Sequence, residues 1–255
     1  MAKTIAFAGK GGTGKTTLAA LTVRYLIEKT GRPILAVDAD SNSCLNEALG
    51  VTVHTTIGKI REESLAAIRS SSNRPGGMST EELFNYRVQQ SLIEANGFDL
   101  LVMGRPEGSG CYCAANNIIR KYTDMLSDDY PFVVIDNEAG MEHLSRRTTH
   151  KVDLLFIVSD CTVKGIKTAK RIVDLVAELS LDIGQSLVII NRSKEDSGLI
   201  ELAGEYGLNL AGTIPDDREI FDIDLKGGAV FDIPDGSNCK KIGYSMFDTY
   251  IEPVP

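Results

Sequence analysis

Short apolar runs recur along the whole chain, and they define the first predicted elements. Each run is nearly continuous in Val, Ile, Leu, Phe and Ala instead of alternating with polar residues. That pattern is typical of parallel strands whose two faces are both covered by other elements. The predicted strands span residues 4–9, 33–40, 98–104, 131–136, 153–159, 185–190 and 208–214.

Segments with apolar residues at helical spacing lie between these runs. The clearest are residues 18–31, 114–129 and 163–180, and the first ends in Gly31, a common stop signal for a helix. Alternation of strands and helices predicts an α/β fold: a doubly wound, mostly parallel sheet with helices on both faces and right-handed crossovers.

The order of these elements also predicts how the chain is organised. We expect residues 1–255 to form a single domain with a helical insertion at about 56–95. The polar stretch 71–79 is interpreted as a surface loop of that insertion. A last helix is expected near the end of the chain, stopped by Pro253.

Composition and charge narrow the possible partners. The net charge of −8 disfavours binding of nucleic acid by bulk electrostatics. No apolar run approaches the length of a membrane span, and no Lys or Arg follows Lys241, which makes attachment to anionic lipid unfavourable. The odd number of cysteines, five, fits a reducing compartment, so a cytoplasmic location is expected.

The first strand leads into GKGGTGKTT, residues 9–17, which matches the phosphate-loop pattern G-x-x-x-x-G-K-[ST]. Backbone N–H groups of such a loop surround an anion, and the following helix adds its positive end. Lys15 is expected to reach the β- and γ-phosphates of ATP, and Thr16 to offer a hydroxyl to Mg²⁺. A glycine-rich turn with a solvated lysine is the alternative, but the position between a strand and a helix favours the motif. The predicted nucleotide contacts in this loop are Gly11, Gly12, Thr13, Gly14, Lys15, Thr16 and Thr17.

The second lysine of the loop, Lys10, is not required by the general pattern. KGGTGKTT resembles the deviant phosphate loop of the MinD/ParA/nitrogenase-iron-protein class, the deviant P-loop NTPases of the SIMIBI class. This resemblance implies that ATP drives closure of a homodimer. It also implies that Lys10 crosses to the partner's nucleotide and is catalytic together with Lys15.

Two further segments resemble the switches of that class. In VDADSNS, the resemblance implies that Asp38 holds the water shell of Mg²⁺ and that Asp40 orients the attacking water; one of them could instead be a helix N-cap. In VVIDNEAG, it implies that Asp136 binds Mg²⁺ and that Gly140 senses the γ-phosphate. VIINRSKED and TIPDD resemble the adenine-side segments, which implies base contacts from Asn191 and Pro215.

The C-x-C motif formed by Cys111 and Cys113 carries the remaining chemistry. One chain supplies two thiolates, and a twofold dimer with the motif on its axis supplies four, enough for a site that selects Zn²⁺, Ni²⁺, Cu⁺ or an iron–sulfur species. Alternatively the two cysteines are small buried residues or a redox pair. The other cysteines, Cys44, Cys161 and Cys239, are expected to be packed core residues.

The position of C-x-C narrows the resemblance. The nitrogenase iron protein carries one cluster cysteine in a similar glycine-rich segment and a second after switch II, where this chain has none. The deviant phosphate loop, the C-x-C motif after the third predicted strand and the absence of a cysteine after switch II together resemble the CooC group of accessory ATPases. This resemblance implies an ATP-dependent metallochaperone that binds Ni²⁺ or Zn²⁺ and serves carbon monoxide dehydrogenase as its client, with no nucleic acid and no membrane as partners. An ATPase that carries an iron–sulfur cluster or transfers electrons, and a MinD/ParA-like positioning ATPase with incidental cysteines, are the alternatives.

Overall fold

The computed structural model describes residues 2–69, 79–105, 112–139, 151–194 and 198–251. Within these ranges the predicted α/β fold is confirmed: eight strands form one mostly parallel sheet in the order β3-β4-β2-β5-β1-β6-β7-β8. The strands are β1 (Lys3–Gly9), β2 (Ile34–Ala39), β3 (Ile93–Ala95), β4 (Phe98–Val102), β5 (Phe132–Asn137), β6 (Lys151–Asp160), β7 (Asp182–Ser193) and β8 (Leu210–Pro215).

Helices connect the strands and cover the sheet on both faces. They are α1 (Lys15–Thr30), α2 (Leu45–Leu49), α3 (Ile57–Arg69), α4 (Thr80–Gln90), α5 (Tyr112–Ser127), α6 (Val163–Glu178), α7 (Leu199–Glu205), α8 (Arg218–Leu225) and α9 (Asn238–Tyr250), with a 3-10 turn at Val230–Asp232. The predicted stop of the first helix is present, because Gly31 adopts the left-handed conformation and its N–H closes on Ile27.

The core has two halves, one on each face of the sheet. In β1, Ile5 and Phe7 face the half that includes α1 and α9, whereas Ala6 and Ala8 face the half that includes α5 and α6. Successive side chains of a strand point to opposite faces, so a sheet covered on both sides needs an apolar residue at every position. The uninterrupted apolar runs of the sequence arise from this arrangement.

The sequence pattern missed the edge strand β3. Its three residues, Ile93–Ala95, are too few for a periodic signal, and they pair antiparallel with β4. The two-residue turn Asn96-Gly97 joins the strands, and Gly97 has φ +87°. Asn-Gly between apolar runs is a strong hairpin signal, and that signal could have found the strand.

Helices α3 and α4 lie inside the stretch predicted as a helical insertion, 56–95. Most of the predicted loop 71–79 lies outside the described residues, and the single-domain organisation stays a prediction. Helix α9 is the predicted last helix; it ends at Tyr250, and Pro253 lies outside the described residues. Among the described helices, none is long and apolar enough to cross a membrane.

Candidate nucleotide site

The predicted nucleotide residues gather at one edge of the sheet. Strands β2, β5, β1, β6 and β7 are neighbours in that order and run parallel, so their carboxyl ends meet along this edge. In open α/β sheets this is where ligands bind. The ends of β2, β5 and β7 carry Asp38, Asp136 and Asn191 respectively, and β1 runs into the phosphate loop.

Two glycines of the phosphate loop have no room for a side chain. At Gly9, with φ +147°, a Cβ atom would lie 2.3 Å from the carbonyl oxygen of Val158 on β6. At Gly14, with φ +93°, it would lie 2.3 Å from Nδ2 of Asn191. The loop can therefore lie directly on the strand ends only with glycine at these positions.

Hydrogen bonds hold the loop in shape. The hydroxyl of Thr13 donates to the carbonyl oxygen of Lys10 at 2.8 Å, and Nδ2 of Asn191 donates to the carbonyl oxygen of Thr13 at 2.8 Å. Gly14 is the N-cap of α1 and offers no side-chain cap. The first N–H groups of this sixteen-residue helix therefore lack a side-chain acceptor, which is the arrangement that suits a phosphate.

Lys15 lies almost wholly buried at the start of α1, with 6% of its surface exposed. Its Nζ donates to the carbonyl oxygen of Lys10 at 3.3 Å, so the side chain folds back over the loop. Burial lowers the pKa of Lys15, and the carboxylates of Asp136 and Asp40 partly offset this effect. A phosphate group beside Lys15 would favour its charged form.

Asp136 has the properties expected of a residue that holds a cation. It lies beside Asp38 in the register of β2 and β5, and the hydroxyl of Thr16 hydrogen-bonds to its carboxylate. Its Oδ1 is buried without a hydrogen-bond partner. Burial raises the pKa of Asp136 to about 6, against the effect of Thr16 and Lys15. A buried, unsatisfied carboxylate oxygen next to a hydroxyl fits the oxygen ligands that Mg²⁺ prefers.

Asp38 is fully buried, and both of its carboxylate oxygens accept backbone hydrogen bonds. Oδ1 accepts from the N–H of Asp40 at 3.0 Å, and Oδ2 accepts from the N–H of Leu45, the first residue of α2, at 2.9 Å. Burial raises the pKa of Asp38 to about 7 in spite of these bonds. Asp38 therefore organises the turn into α2, and its predicted role in the Mg²⁺ shell stays a prediction.

Asp40 and Lys10 lie nearer the solvent. The carboxylate of Asp40 accepts from the N–H of Asn42 at 2.8 Å and is half-buried. The Nζ atom of Lys10 is 3.9 Å from Oδ2 of Asp160 at the end of β6, and 54% of the Lys10 side chain is exposed. Sequence reasoning missed Asp160; its place at a strand end, like that of Asp38 and Asp136, was the available signal.

A cavity of about 400 Å³ opens beside the phosphate loop, on the side away from Asp136. The predicted base contacts Asn191 and Pro215 both line it, as do Thr17 and Leu18 of α1. Most of the remaining wall comes from α8 and from the segment around the 3-10 turn. The cavity gives a nucleoside a place next to the phosphate site, and base contacts from Asn191 and Pro215 remain predictions.

The structure describes four of the five cysteines. Cys111 and Gly140, the residue predicted to sense the γ-phosphate, lie outside the described residues, and Cys113 belongs to the first turn of α5. The expectation that Cys44 is packed is wrong: it is exposed, because the N-cap position places it where α2 begins at the site edge. Cys161 is half-buried and Cys239 is buried. In the part of the chain that the structure describes, no group of three or more His, Cys, Asp or Glu residues could hold a metal ion.

Comparison with known proteins places the chain in a family. It belongs to the family described as the CobQ/CobB/MinD/ParA nucleotide binding domain, which matches residues 4–230. The predicted membership in the MinD/ParA class of P-loop ATPases is thereby confirmed, and the protein is an ATPase.

Individual relatives cover nearly the whole chain. An uncharacterized ATP-binding protein of Methanocaldococcus jannaschii is 46% identical over 93% of this chain and 94% of the relative. The carbon monoxide dehydrogenase accessory protein CooC of Rhodospirillum rubrum is 30% identical over 98% of this chain and 97% of the relative. The septum site-determining protein MinD of Pyrococcus horikoshii, complexed with Mg-ADP, shares the fold with a TM-score of 0.72 at 19% identity, covering 99% of this chain and 97% of that chain.

The buried Asp136 carboxylate predicts a pH effect on stability. Its pKa in the folded protein is about 6, above the ordinary 3.8, so the folded state binds this proton more tightly than the unfolded state. The free energy of unfolding therefore falls as the pH rises from about 3.8 to about 6. In Asp136→Asn this fall in the free energy of unfolding should be smaller by at most about 3 kcal/mol, the free energy that corresponds to a pKa shift from 3.8 to about 6. Urea unfolding of the nucleotide-free protein between pH 4 and pH 8 measures it, with the exposed Asp128→Asn as control. Identical profiles for the two variants would contradict the interpretation.

Proposed function

We propose that this ATPase is an ATP-dependent metallochaperone. Two ATP-loaded subunits close face to face, bind one soft metal ion, Ni²⁺ or Zn²⁺, through Cys111 and Cys113 of each subunit, and assist nickel insertion into the active-site cluster of carbon monoxide dehydrogenase. The observation that carries the proposal is the place of the motif. Its second cysteine, Cys113, belongs to the first turn of α5, the helix that follows β4, and the carboxyl end of β4 lies at the same sheet edge as the phosphate loop. The similarity to CooC over the whole chain supports this function.

Backbone contacts join the approach to the motif with the nucleotide site. In the register of β2 and β4, Asp38 pairs with Val102. The next residue, Met103, donates its N–H to the carbonyl oxygen of Asp38 at 2.8 Å, and its own carbonyl oxygen accepts from Gly58 at 2.8 Å. A movement of Asp38 therefore displaces the backbone from which the chain continues toward Cys111. This contact gives nucleotide state a physical route to the metal ligands.

The number of thiolates requires a second subunit. Each chain supplies two, and a soft metal in a closed tetrahedral site takes four, which a twofold axis through the motif provides. The position of Lys10 is compatible with the same dimer. Its Nζ lies 3.9 Å from Asp160, a weak and solvent-screened contact, so the half-exposed side chain can leave it at little cost and reach across the interface.

The residues of the site have different roles in ATP hydrolysis. Lys15 neutralises phosphate charge, while the N–H groups of residues 11–17 bind the phosphate oxygens. Thr16, Asp136 and Asp38 would hold Mg²⁺, which when bound supplies Lewis-acid stabilisation of the phosphate charge. Asp40 orients the attacking water, and Asn191 and Pro215 contact the base. After hydrolysis the contacts to the γ-phosphate are gone, the subunits reorient, and the metal ion is released as cargo.

The energy required for this coupling is modest. A difference of about 1.4 kcal/mol between the two dimer arrangements changes the affinity for the metal tenfold. Loss of the γ-phosphate contacts of Lys10 and Lys15 is of this order or larger, because charge-assisted hydrogen bonds contribute about 1.5–3 kcal/mol each. Nickel and zinc both suit four thiolates, so the metal bound is decided by measurement.

The double variant Cys111→Ser/Cys113→Ser tests the metal site. We expect the natural protein to bind one Ni²⁺ or Zn²⁺ per two chains in the presence of ATP, and the variant to bind none at the same metal concentration, because hydroxyls are poor ligands for soft metals. Equilibrium dialysis without nucleotide, with ADP and with ATP gives both stoichiometry and coupling. Cys161→Ser is the matched control, because Cys161 is a half-buried cysteine directly after β6 and outside the motif.

Two results of the same experiment would contradict the proposal. Unchanged metal binding in the double variant would make the cysteines incidental and favour a positioning ATPase. A brown protein holding iron and sulfide in equal amounts would instead identify a carrier of an iron–sulfur cluster.

A mixing experiment tests the action of Lys10 across the dimer. Lys10→Ala and Asp40→Asn should each bind ATP and hydrolyse it at least about tenfold more slowly, because each loses one catalytic group. If Lys10 acts on the partner's nucleotide, a heterodimer has one complete site, and an equal mixture should recover about a quarter of the natural rate. If Lys10 acts within its own subunit, the mixture stays inactive, which would refute the role. Lys167→Ala, an exposed lysine on α6, is the control.

A further inference from the structure

Arg24 lies in the middle of α1 and is almost wholly buried, with 7% of its surface exposed. A buried guanidinium is costly unless its N–H groups find acceptors. Here one nitrogen, Nη1, donates to two backbone carbonyl oxygens, those of Val230 and Ile233, at 2.7 Å each. Nε donates to Glu28 at 2.7 Å, and Nη2 lies 3.6 Å from Asp235.

The two carbonyl groups belong to a wall of the cavity beside the phosphate loop. Val230 and Ile233 both line that cavity; Val230 begins the 3-10 turn and Ile233 directly follows it. Another part of the lining is formed by Thr17 and Leu18, on the same helix as Arg24. Arg24 is thus a direct hydrogen-bonded link between α1 and the segment that carries Val230 and Ile233, in addition to the apolar packing between them.

The link also relates the cavity to the phosphate site. Lys15 and Thr16 begin α1, and Arg24 follows Lys15 by nine residues, about 13 Å along a rigid helix. A nucleotide whose phosphates are held at the start of α1 must place its base at a set distance from them. One helix therefore positions both the group that holds the phosphates and the group that holds the far wall.

Neighbouring charges fix the guanidinium in this orientation. Lys240 on α9 is itself buried and donates to Asp235 at 2.6 Å and to Glu28 at 3.3 Å. The hydroxyl of Tyr244 donates to Glu28 at 2.9 Å. The guanidinium and Lys240 thus share the two carboxylates of Glu28 and Asp235, and this network favours the observed orientation of Arg24.

We infer that Arg24 is a positioning residue for the base of the bound nucleotide, acting through the carbonyl groups of Val230 and Ile233. The inference rests on the part of the proposed function that places the base in this cavity, between Asn191 and Pro215. Removing the guanidinium leaves these two buried carbonyl groups without their donor, so this wall shifts and the base loses contacts while the phosphates keep theirs. The KM for ATP rises, and kcat stays the same because the reacting groups are untouched.

Arg24→Met is the variant that tests this role, and Arg24→Lys keeps the charge while shortening the reach to the two carbonyl groups. We expect the KM for ATP to rise about tenfold in Arg24→Met and less in Arg24→Lys, with kcat within about twofold of the natural value. Inhibition by tripolyphosphate, which has phosphates and no base, should be unchanged. Measurements are made well below the melting temperature of each variant, so that all molecules compared are folded.

Tyr25→Phe is the matched control. Tyr25 is the adjacent residue of α1, is buried, and donates to Asp248 at 2.9 Å, yet it does not line the cavity. It should lower the melting temperature without changing the KM for ATP, as any purely structural contact between α1 and α9 would.

Three outcomes would overturn the inference. A lower melting temperature of Arg24→Met with an unchanged KM for ATP would make Arg24 a structural residue only. Equal weakening of ATP and tripolyphosphate would place its effect at the phosphate loop. If the natural protein binds ATP no more tightly than tripolyphosphate, the base is not held in the cavity, and the base contacts of the proposed function fail together with the inference. The first two outcomes leave those contacts standing.

Discussion

The burial of two carboxylates side by side on adjacent parallel strands is the constraint on which the site of this molecule depends. Asp38 and Asp136 are partners in the register of β2 and β5, and each is at most 1% exposed. Burial raises the pKa of both carboxyl groups; the charge of Asp136 adds to the effect on Asp38, and the charge of Asp40 adds to the effect on Asp136. Asp38 accepts two backbone N–H groups, whereas Oδ1 of Asp136 has no partner. A cation at this point would satisfy that oxygen, which ties the stability of the site to its ligands.

Helix α1 connects these buried carboxylates to the cavity. Its first turn holds Lys15 and Thr16 against Asp136, and its middle holds Arg24 against the wall of the cavity. On the other side of the phosphate site, Met103 binds the backbone of Asp38 and leads toward the C-x-C motif. The start of the phosphate-loop helix, one wall of the cavity and the backbone that precedes the C-x-C motif therefore all belong to or contact α1 or β2. The proposed coupling of ATP hydrolysis to metal binding would act through this shared support.

Much of the fold followed from pattern, because a sheet covered on both faces leaves a continuous apolar signature in each strand. All seven predicted strands are present, and the one that was missed, β3, is a three-residue edge strand with too few residues for periodicity. The phosphate loop was recognisable because its chemistry is local: Gly9 to Thr17 are consecutive. Cys44 was assigned wrongly to the core, since exposure at a short helix start depends on what the neighbouring segments leave uncovered.

The sequence by itself determined the class of the protein, through contiguous residues whose spacing is fixed by the chain. It determined neither which residues meet nor what they do for one another. The bond from Asn191 to Thr13 spans 178 positions, and the bond from Arg24 to Val230 spans 206. Such contacts arise only when the strand order brings distant segments to one edge. Burial, which raises the pKa of Asp136 and leaves its Oδ1 unsatisfied, is likewise a property of the packed sheet and helices. Tertiary structure therefore decided the electrostatics of the site, because solvent exclusion has no local signature in the sequence.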